Sequence, residues 1–272
     1  DKQVGRLELI KLGMDDNTYE MILKIIHQPH GILLVTGPTG SGKTTTLYAA
    51  LQELNNNELN ISTVEDPVEY FIDGINQTQI NNKVKMSFAK GLRAILRQDP
   101  DVVMLGEVRD SETAQIAVQA SLTGHLVFST LHTNTAVGAI SRLKDMGIEP
   151  FLLSSSLSAV LAQRLIRTLC PDCKQPHSTD TKENEKLGIN KSIVIYQSSG
   201  CDQCNQTGYT GRSALYELLS IDEGIKELIY NEASEAQILE SSKSHSTLSE
   251  QAVKMVMNGN TSLYEAIRVV AL

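Results

Sequence analysis

A chain of 272 residues, 41% hydrophobic and 21% charged, has the composition of an ordinary globular protein and enough material for a core without disulfide staples. Its 32 Asp and Glu against 24 Lys and Arg leave a formal net charge of −8, which argues against a strongly basic nucleic-acid-binding domain while leaving a local basic patch open. No uninterrupted apolar run approaches the roughly 18 residues of a membrane span and no signal-peptide pattern opens the sequence, so a soluble protein is expected, meeting a membrane only through partners. The chain opens at Asp1 and its first methionine is Met14; an excised or processed chain, with upstream domains missing, is the expectation.

Residues 15–28 begin with cap-type residues and then place Met21, Ile22, Ile25 and Ile26 at helical spacing, ending before Pro29, which predicts an amphipathic helix. The apolar burst Ile32-Leu33-Leu34-Val35 predicts a strand buried on both faces. A Gly-rich loop and a helix from about Lys43 to Leu54 follow, and Asn55-Asn56-Asn57 ends it. Strand-like bursts recur at 61–64, 102–105 and 126–128, with helical patterns near 87–97, 111–122, 135–145 and 151–165. Alternation of this kind predicts a mostly parallel α/β sheet covered by helices. Residues 1–167 are expected to form this core. Composition then shifts to a loop-rich segment, 168–211, that holds all four cysteines, and residues 212–272 read as an acidic, helical region.

Gly37-Pro38-Thr39-Gly40-Ser41-Gly42-Lys43-Thr44 satisfies GxxxxGK[ST] between a predicted strand and a predicted helix, the context that defines a P-loop. Glycines let backbone N–H groups close around a phosphate, and the following helix turns its positive end toward the anion. Lys43 is expected to reach the β- and γ-phosphates and the Thr44 hydroxyl to ligate Mg²⁺. No GxGxxG is present, against a dinucleotide fold.

The run Val102-Val103-Met104-Leu105-Gly106-Glu107 reads as a buried strand leading into a carboxylate, a Walker B arrangement with Glu for the usual Asp. Thr63-Val64-Glu65-Asp66-Pro67 puts a second acidic pair at another strand end, and His132 follows a third. All three are expected at the carboxyl edge of the sheet, where open α/β sheets bind ligands. Arg93, Arg97 and Arg109 are interspersed; arginine suits developing phosphoryl charge, although an exposed arginine is commonly a solvated surface group.

Cys170-Pro171-Asp172-Cys173 and Cys201-Asp202-Gln203-Cys204 are two CxxC knuckles 27 residues apart. Four thiolates from two such turns suit tetrahedral Zn²⁺ in a closed, structural site. A redox CxxC is the alternative.

With these motifs assembled, the sequence resembles the secretion ATPase superfamily, and within it the type II secretion motor ATPases (the GspE family), over nearly the whole chain. GPTGSGKTTTLYAAL is similar to the family's Walker A, TVEDPVE to its aspartate box, RQDPDVVMLGEVRD to its Walker B segment and GHLVFSTLHTNTA to its histidine box. The tetracysteine insertion after AQRLIRTLCPDC is shared by this family and the pilus-assembly ATPases.

The resemblance implies a RecA-like P-loop NTPase core with a small zinc-binding tetracysteine module and a C-terminal helical subdomain. It implies a homo-hexamer on the cytoplasmic face of the bacterial inner membrane, docked on platform proteins of the GspL and GspF kind and using ATP, Mg²⁺ and structural Zn²⁺. Site residues follow the motifs. Gly37, Pro38, Thr39, Gly40, Ser41, Gly42, Lys43, Thr44 and Thr45 would bind ATP, and Thr44 with Glu107 would serve Mg²⁺. Glu65 would polarise the attacking water, His132 would couple nucleotide state to the sheet, and Arg93 and Arg109 would approach the γ-phosphate. A pilus-assembly ATPase, a nucleic-acid translocase on the same core and a non-catalytic assembly module remain as alternatives; the acidic balance disfavours the translocase.

Overall fold

A computed structural model describes residues 8–56, 58–242 and 246–270. The described chain clusters into two compact units, one of residues 8–162 and 218–242, the other of 163–217 and 246–270.

In the first unit, α1 (Asp16–Ile26) starts where the Asp15 carboxylate accepts the Thr18 N–H at 2.7 Å. Strand β1 (Gly31–Thr36), helix α2 (Lys43–Leu54), strands β2 (Ile61–Glu65) and β3 (Asn76–Gln79), and helix α3 (Phe88–Ile95) follow. Next come β4 (Val102–Leu105), α4 (Ser111–Leu122), β5 (Leu126–Leu131), α5 (Ala136–Asp145) and α6 (Pro150–Ser156). Every residue of β1, β2, β4 and β5 is buried, as a parallel sheet covered on both faces requires. Helices α2 and α4 pack against β1 and β5.

Strand β6 (Leu157–Leu169) belongs to this unit up to Ala162, and β9 (Tyr209–Ser220) from Leu218. The sheet order is β3-β2-β4-β5-β1-β6-β9. Pairing of β1 with β5 and β6, of β4 with β5 and β2, and of β2 with β3 is parallel throughout. Thr36 stands opposite Leu131 and Leu105 opposite Val64, so these strands finish at one edge.

The helix expected over 151–165 is corrected: α6 stops at Ser156, and Leu157 turns extended at φ −80°, ψ 123°. Ala159 to Ala162 then pair with Leu33 to Thr36 of β1 and are fully buried. A short apolar run buried on all sides has no periodicity to tell strand from helix, and pairing with β1 decides it. Strand β3 went unread because Asn-Gln-Thr-Gln has no apolar member. The expected divisions at 167/168 and 211/212 fall inside β6 and β9.

In the second unit, β7 (Gln175–Ser178) and β8 (Val194–Gln197) pair antiparallel around α7 (Thr181–Leu187), which opens with a reciprocal Asp180–Glu183 capping box. Helices α10 (Leu248–Met257) and α11 (Leu263–Val270) pack on each other. Helices α8 (Glu223–Tyr230) and α9 (Glu235–Ser241) lie in the first unit instead. Parts of the C-terminal helical pattern, 243–245 and 271–272, lie outside the described residues, as does Asn57. No helix among the described residues is long and apolar enough to cross a membrane.

Glu265, in the first turn of α11, is fully buried. It accepts from the Arg167 backbone N–H at 3.1 Å, from Arg167 Nη2 at 2.7 Å, and from Arg268 Nε and Nη2 at 2.8 and 2.6 Å. Burial works against its charge, but these donors outweigh it and hold the carboxyl at about 2, against an ordinary 4.5. A carboxyl depressed in the fold stabilises above its ordinary value and loses that contribution as pH falls through the folded one. Glu265→Gln is therefore expected to cost about 2–3 kcal/mol at pH 7, with the deficit closing as pH approaches about 2, read from thermal midpoints of both proteins across that range.

Candidate nucleotide site and tetracysteine cluster

The loop between β1 and α2 takes backbone conformations that L side chains rarely adopt, with Gly40 at φ 78° and Gly42 at φ 87° as the N-cap of α2. No side-chain hydrogen bond caps that helix, and its N-terminus carries the partial positive charge that suits an anion. Lys43 is buried, its Nζ donating to the Gly37 and Pro38 carbonyls at 2.9 and 3.0 Å. The Ser41 hydroxyl is buried with no hydrogen-bond partner. A glycine-bent loop leading into a helix N-terminus, a buried ammonium and a buried hydroxyl without a partner fit phosphate oxygens. Thr44 and Thr45 stay exposed at the start of α2.

Glu107 emerges two residues beyond β4 and is paired with two side chains. Arg109 Nη2 bonds its Oε1, and His132 Nε2 lies 3.2 Å from its Oε2. Burial opposes ionisation of Glu107, but Arg109 and then His132 outweigh it and hold the carboxyl below its ordinary range. Arg109 also lies 3.9 Å from Asp66 and stacks over the Phe88 ring at 5.8 Å. His132 is placed by the residues after β5, where the Thr133 N–H donates to Thr36 Oγ1 at 2.9 Å.

Glu65, the last residue of β2, is 2% exposed and held by neutral donors. Tyr48 donates to Oε2, while Thr63 Oγ1 and Gln77 Nε2 donate to Oε1 at 2.5 and 3.2 Å. Burial and the neighbouring Glu65 push the Tyr48 phenol well above its ordinary range, and burial raises that of Tyr70.

One cleft of about 680 Å³ collects Thr39 through Thr45, Glu65, Glu107, Arg109 and His132. Gly37 and Pro38 contribute as acceptors for Lys43. Arg93 is not brought there: it pairs with Glu112 at 2.7 Å and lines a separate hollow with Lys90 and Arg97. Sequence reading missed Tyr48, Tyr70 and Phe88 in the cleft and Gln77 behind it. Only Tyr48 left a trace, a hydroxyl amid the apolar residues of α2, which needs a partner once buried.

In the second unit the four cysteine Sγ atoms lie within 4.8 Å of one another. The separations are 3.9 Å for Cys170–Cys201, 3.8 Å for Cys173–Cys204 and 3.7 Å for Cys201–Cys204. A tetrahedron with metal–sulfur bonds of about 2.3 Å has edges of about 3.8 Å. The N–H groups of Gly200, Cys201 and Gly208 donate to Cys173 and Cys204 at 3.2–3.3 Å. Burial resists ionisation of Cys204, but the backbone donors bring it down to about 6, while burial pushes the neighbouring Cys173 up to about 11. The set fits a thiolate-bound metal.

A parallel sheet whose P-loop opens beside strand-end carboxylates defines an α/β P-loop nucleotide-binding protein of the RecA-like type. The chain belongs to the type II/IV secretion system protein family, whose model matches residues 1–268. It is 60% identical over 274 residues to the type II secretion system ATPase E of Vibrio cholerae, covering 99% of this chain and 54% of that relative. With the type II secretion system protein E of Aeromonas hydrophila the identity is 58% over 272 residues, again 99% and 54%. The crystal structure of the pilus retraction motor PilT with bound ADP superposes with a TM-score of 0.73 at 32% identity, covering 98% of this chain and 67% of that one. The chain spans about half the length of the curated relatives it matches.

Proposed function

We propose that this chain is the ATP-hydrolysing part of a type II secretion motor, converting hydrolysis into subunit motion that drives pseudopilus assembly and protein export. The observation that carries it is the convergence of the P-loop, Glu65 and Glu107 on one cleft. The N–H groups of 39–45 and Lys43 grip the β- and γ-phosphates. Lys43 then exchanges the Gly37 and Pro38 carbonyls for phosphate oxygens. Thr44 and Glu107 would hold Mg²⁺, which neutralises phosphate charge. Glu65 orients water for in-line attack on the γ-phosphate, and Arg109, tethered to Glu107, swings to the developing charge. His132, hydrogen-bonded to Glu107 beyond the end of β5, relays occupancy to the sheet. Arg93 is left out of this reading because it lines a hollow apart from the cleft, with Lys90 and Arg97.

The family resemblance supports a homo-hexamer held at the cytoplasmic face of the inner membrane by GspL- and GspF-like platform proteins. The loop-rich stretch of the second unit would fold around structural Zn²⁺, with Cys170, Cys173, Cys201 and Cys204 as its holders and no position left open to chemistry.

Lys43→Ala is expected to lower ATP turnover by about 10²-fold or more, whereas Glu107→Ala lowers kcat by a similar factor and leaves ATP affinity within about threefold. Wild-type hydrolysis by Glu107→Ala would overturn its role. Metal analysis of protein purified without chelator should find about one zinc per chain. Cys204→Ser should lose that zinc together with secondary structure of the second unit, followed by circular dichroism.

A further inference from the structure

Tyr48 lies five residues beyond Lys43 on α2, fully buried, with its ring edge-on to Tyr70 at 4.8 Å between centroids. Its hydroxyl donates to Glu65 Oε2 and accepts from the Glu69 N–H at 3.3 Å, and Gln77 Nε2 lies 3.4 Å away, its two hydrogens shared with Glu65 Oε1 and the Tyr70 carbonyl. Gln77 ties the same group to the loop after β2, donating to the Tyr70 carbonyl at 3.1 Å and accepting from the Ile72 N–H at 2.7 Å. All of these groups belong to the first unit.

A carboxylate offers about four acceptor positions. On Glu65, Oε1 is filled by Thr63 and Gln77, and Oε2 is half-filled by Tyr48. Among the described residues these donors leave one acceptor position, on Oε2, and the phenol of Tyr48 fixes its direction. We infer that Tyr48 is a positioning residue: it locks the Glu65 carboxylate to the helix that begins at Lys43 and leaves a single lone pair of Oε2 to take the hydrogen of the attacking water. The inference rests on Glu65 as the water-orienting group proposed above. Desolvation keeps the phenol protonated, so it serves as a donor throughout the working pH range. A phenol suits this place better than a cation. It fixes the carboxylate without neutralising it, whereas Glu107, tied to Arg109, has its charge already answered.

The test is a double-mutant cycle of Tyr48→Phe and Glu65→Gln in the whole chain, reading kcat and KM for ATP, affinity for a fluorescent ADP analogue and the thermal midpoint. Tyr48→Phe is expected to lower kcat by about tenfold or more, leave KM and ADP affinity within about twofold, and add less than about twofold to the loss in the Glu65→Gln background. Replacing Tyr48 with 4-aminophenylalanine restores an N–H donor at the same place and is expected to bring kcat back to within about threefold of wild type. Unchanged kcat in Tyr48→Phe beside an impaired Glu65→Gln overturns the role of Tyr48 and spares that of Glu65. Wild-type turnover by Glu65→Gln overturns both. Equal losses in the two backgrounds, or a folded but inactive 4-aminophenylalanine protein, also overturn it, because the ring would then matter only as packing.

Discussion

Parallel, in-step pairing of four buried strands sets where every polar group of the cleft can stand. With β2, β4, β5 and β1 running the same way and Thr36 level with Leu131, the residues that follow each strand leave the sheet together. A P-loop after β1, Glu65 at the end of β2, Glu107 after β4 and His132 after β5 are then neighbours without any of them being close in sequence. Slipping one strand by one residue would exchange the side chains it sends to the sheet's two covered faces, so the helices packed on those faces hold the register and with it the polar geometry at the strand ends.

The two carboxylates of the cleft show how one sheet edge supplies different chemistry. Glu107 is paired with a guanidinium and an imidazole, which favour its ionised form. Glu65 is surrounded by uncharged donors from α2, β2 and β3, which fix its direction. Charge is answered at one group and orientation at the other, the division that a reaction dependent on positioning and electrostatic stabilisation needs. The tetracysteine cluster differs from both carboxylates. Its backbone N–H···S bonds and closed donor set suit holding a small, loop-rich segment together, where little apolar surface is available to do so.

Much of the nucleotide cleft and the cysteine cluster is legible in the sequence alone. The P-loop and the two CxxC knuckles are runs of a few residues whose chemistry is a local backbone turn, so their spacing identifies them. The acidic strand ends are readable because β4 is a continuous apolar burst and β2 a β-branched-rich run, each with a carboxylate at or just past its end. Less legible are residues whose meaning depends on a partner far away. Arg93 and Arg109 look alike in sequence, yet α3 commits one to Glu112 and the residues after β4 give the other to Glu107. Nothing local to Tyr48 or Gln77 points to Glu65; α2 and β3 bring them there.

By itself, the sequence determined the alternating α/β class, the phosphate-gripping loop, the cysteine knuckles and the family, because each is written in local period or in motifs a few residues long. Tertiary structure decided that 157–169 is a strand, that α8 and α9 join one unit while α10 and α11 join the other, and which side chains surround each carboxylate. Those outcomes depend on strand order and register across the sheet, where groups tens of residues apart compete for the same few hydrogen-bonding positions, and no local pattern records who wins.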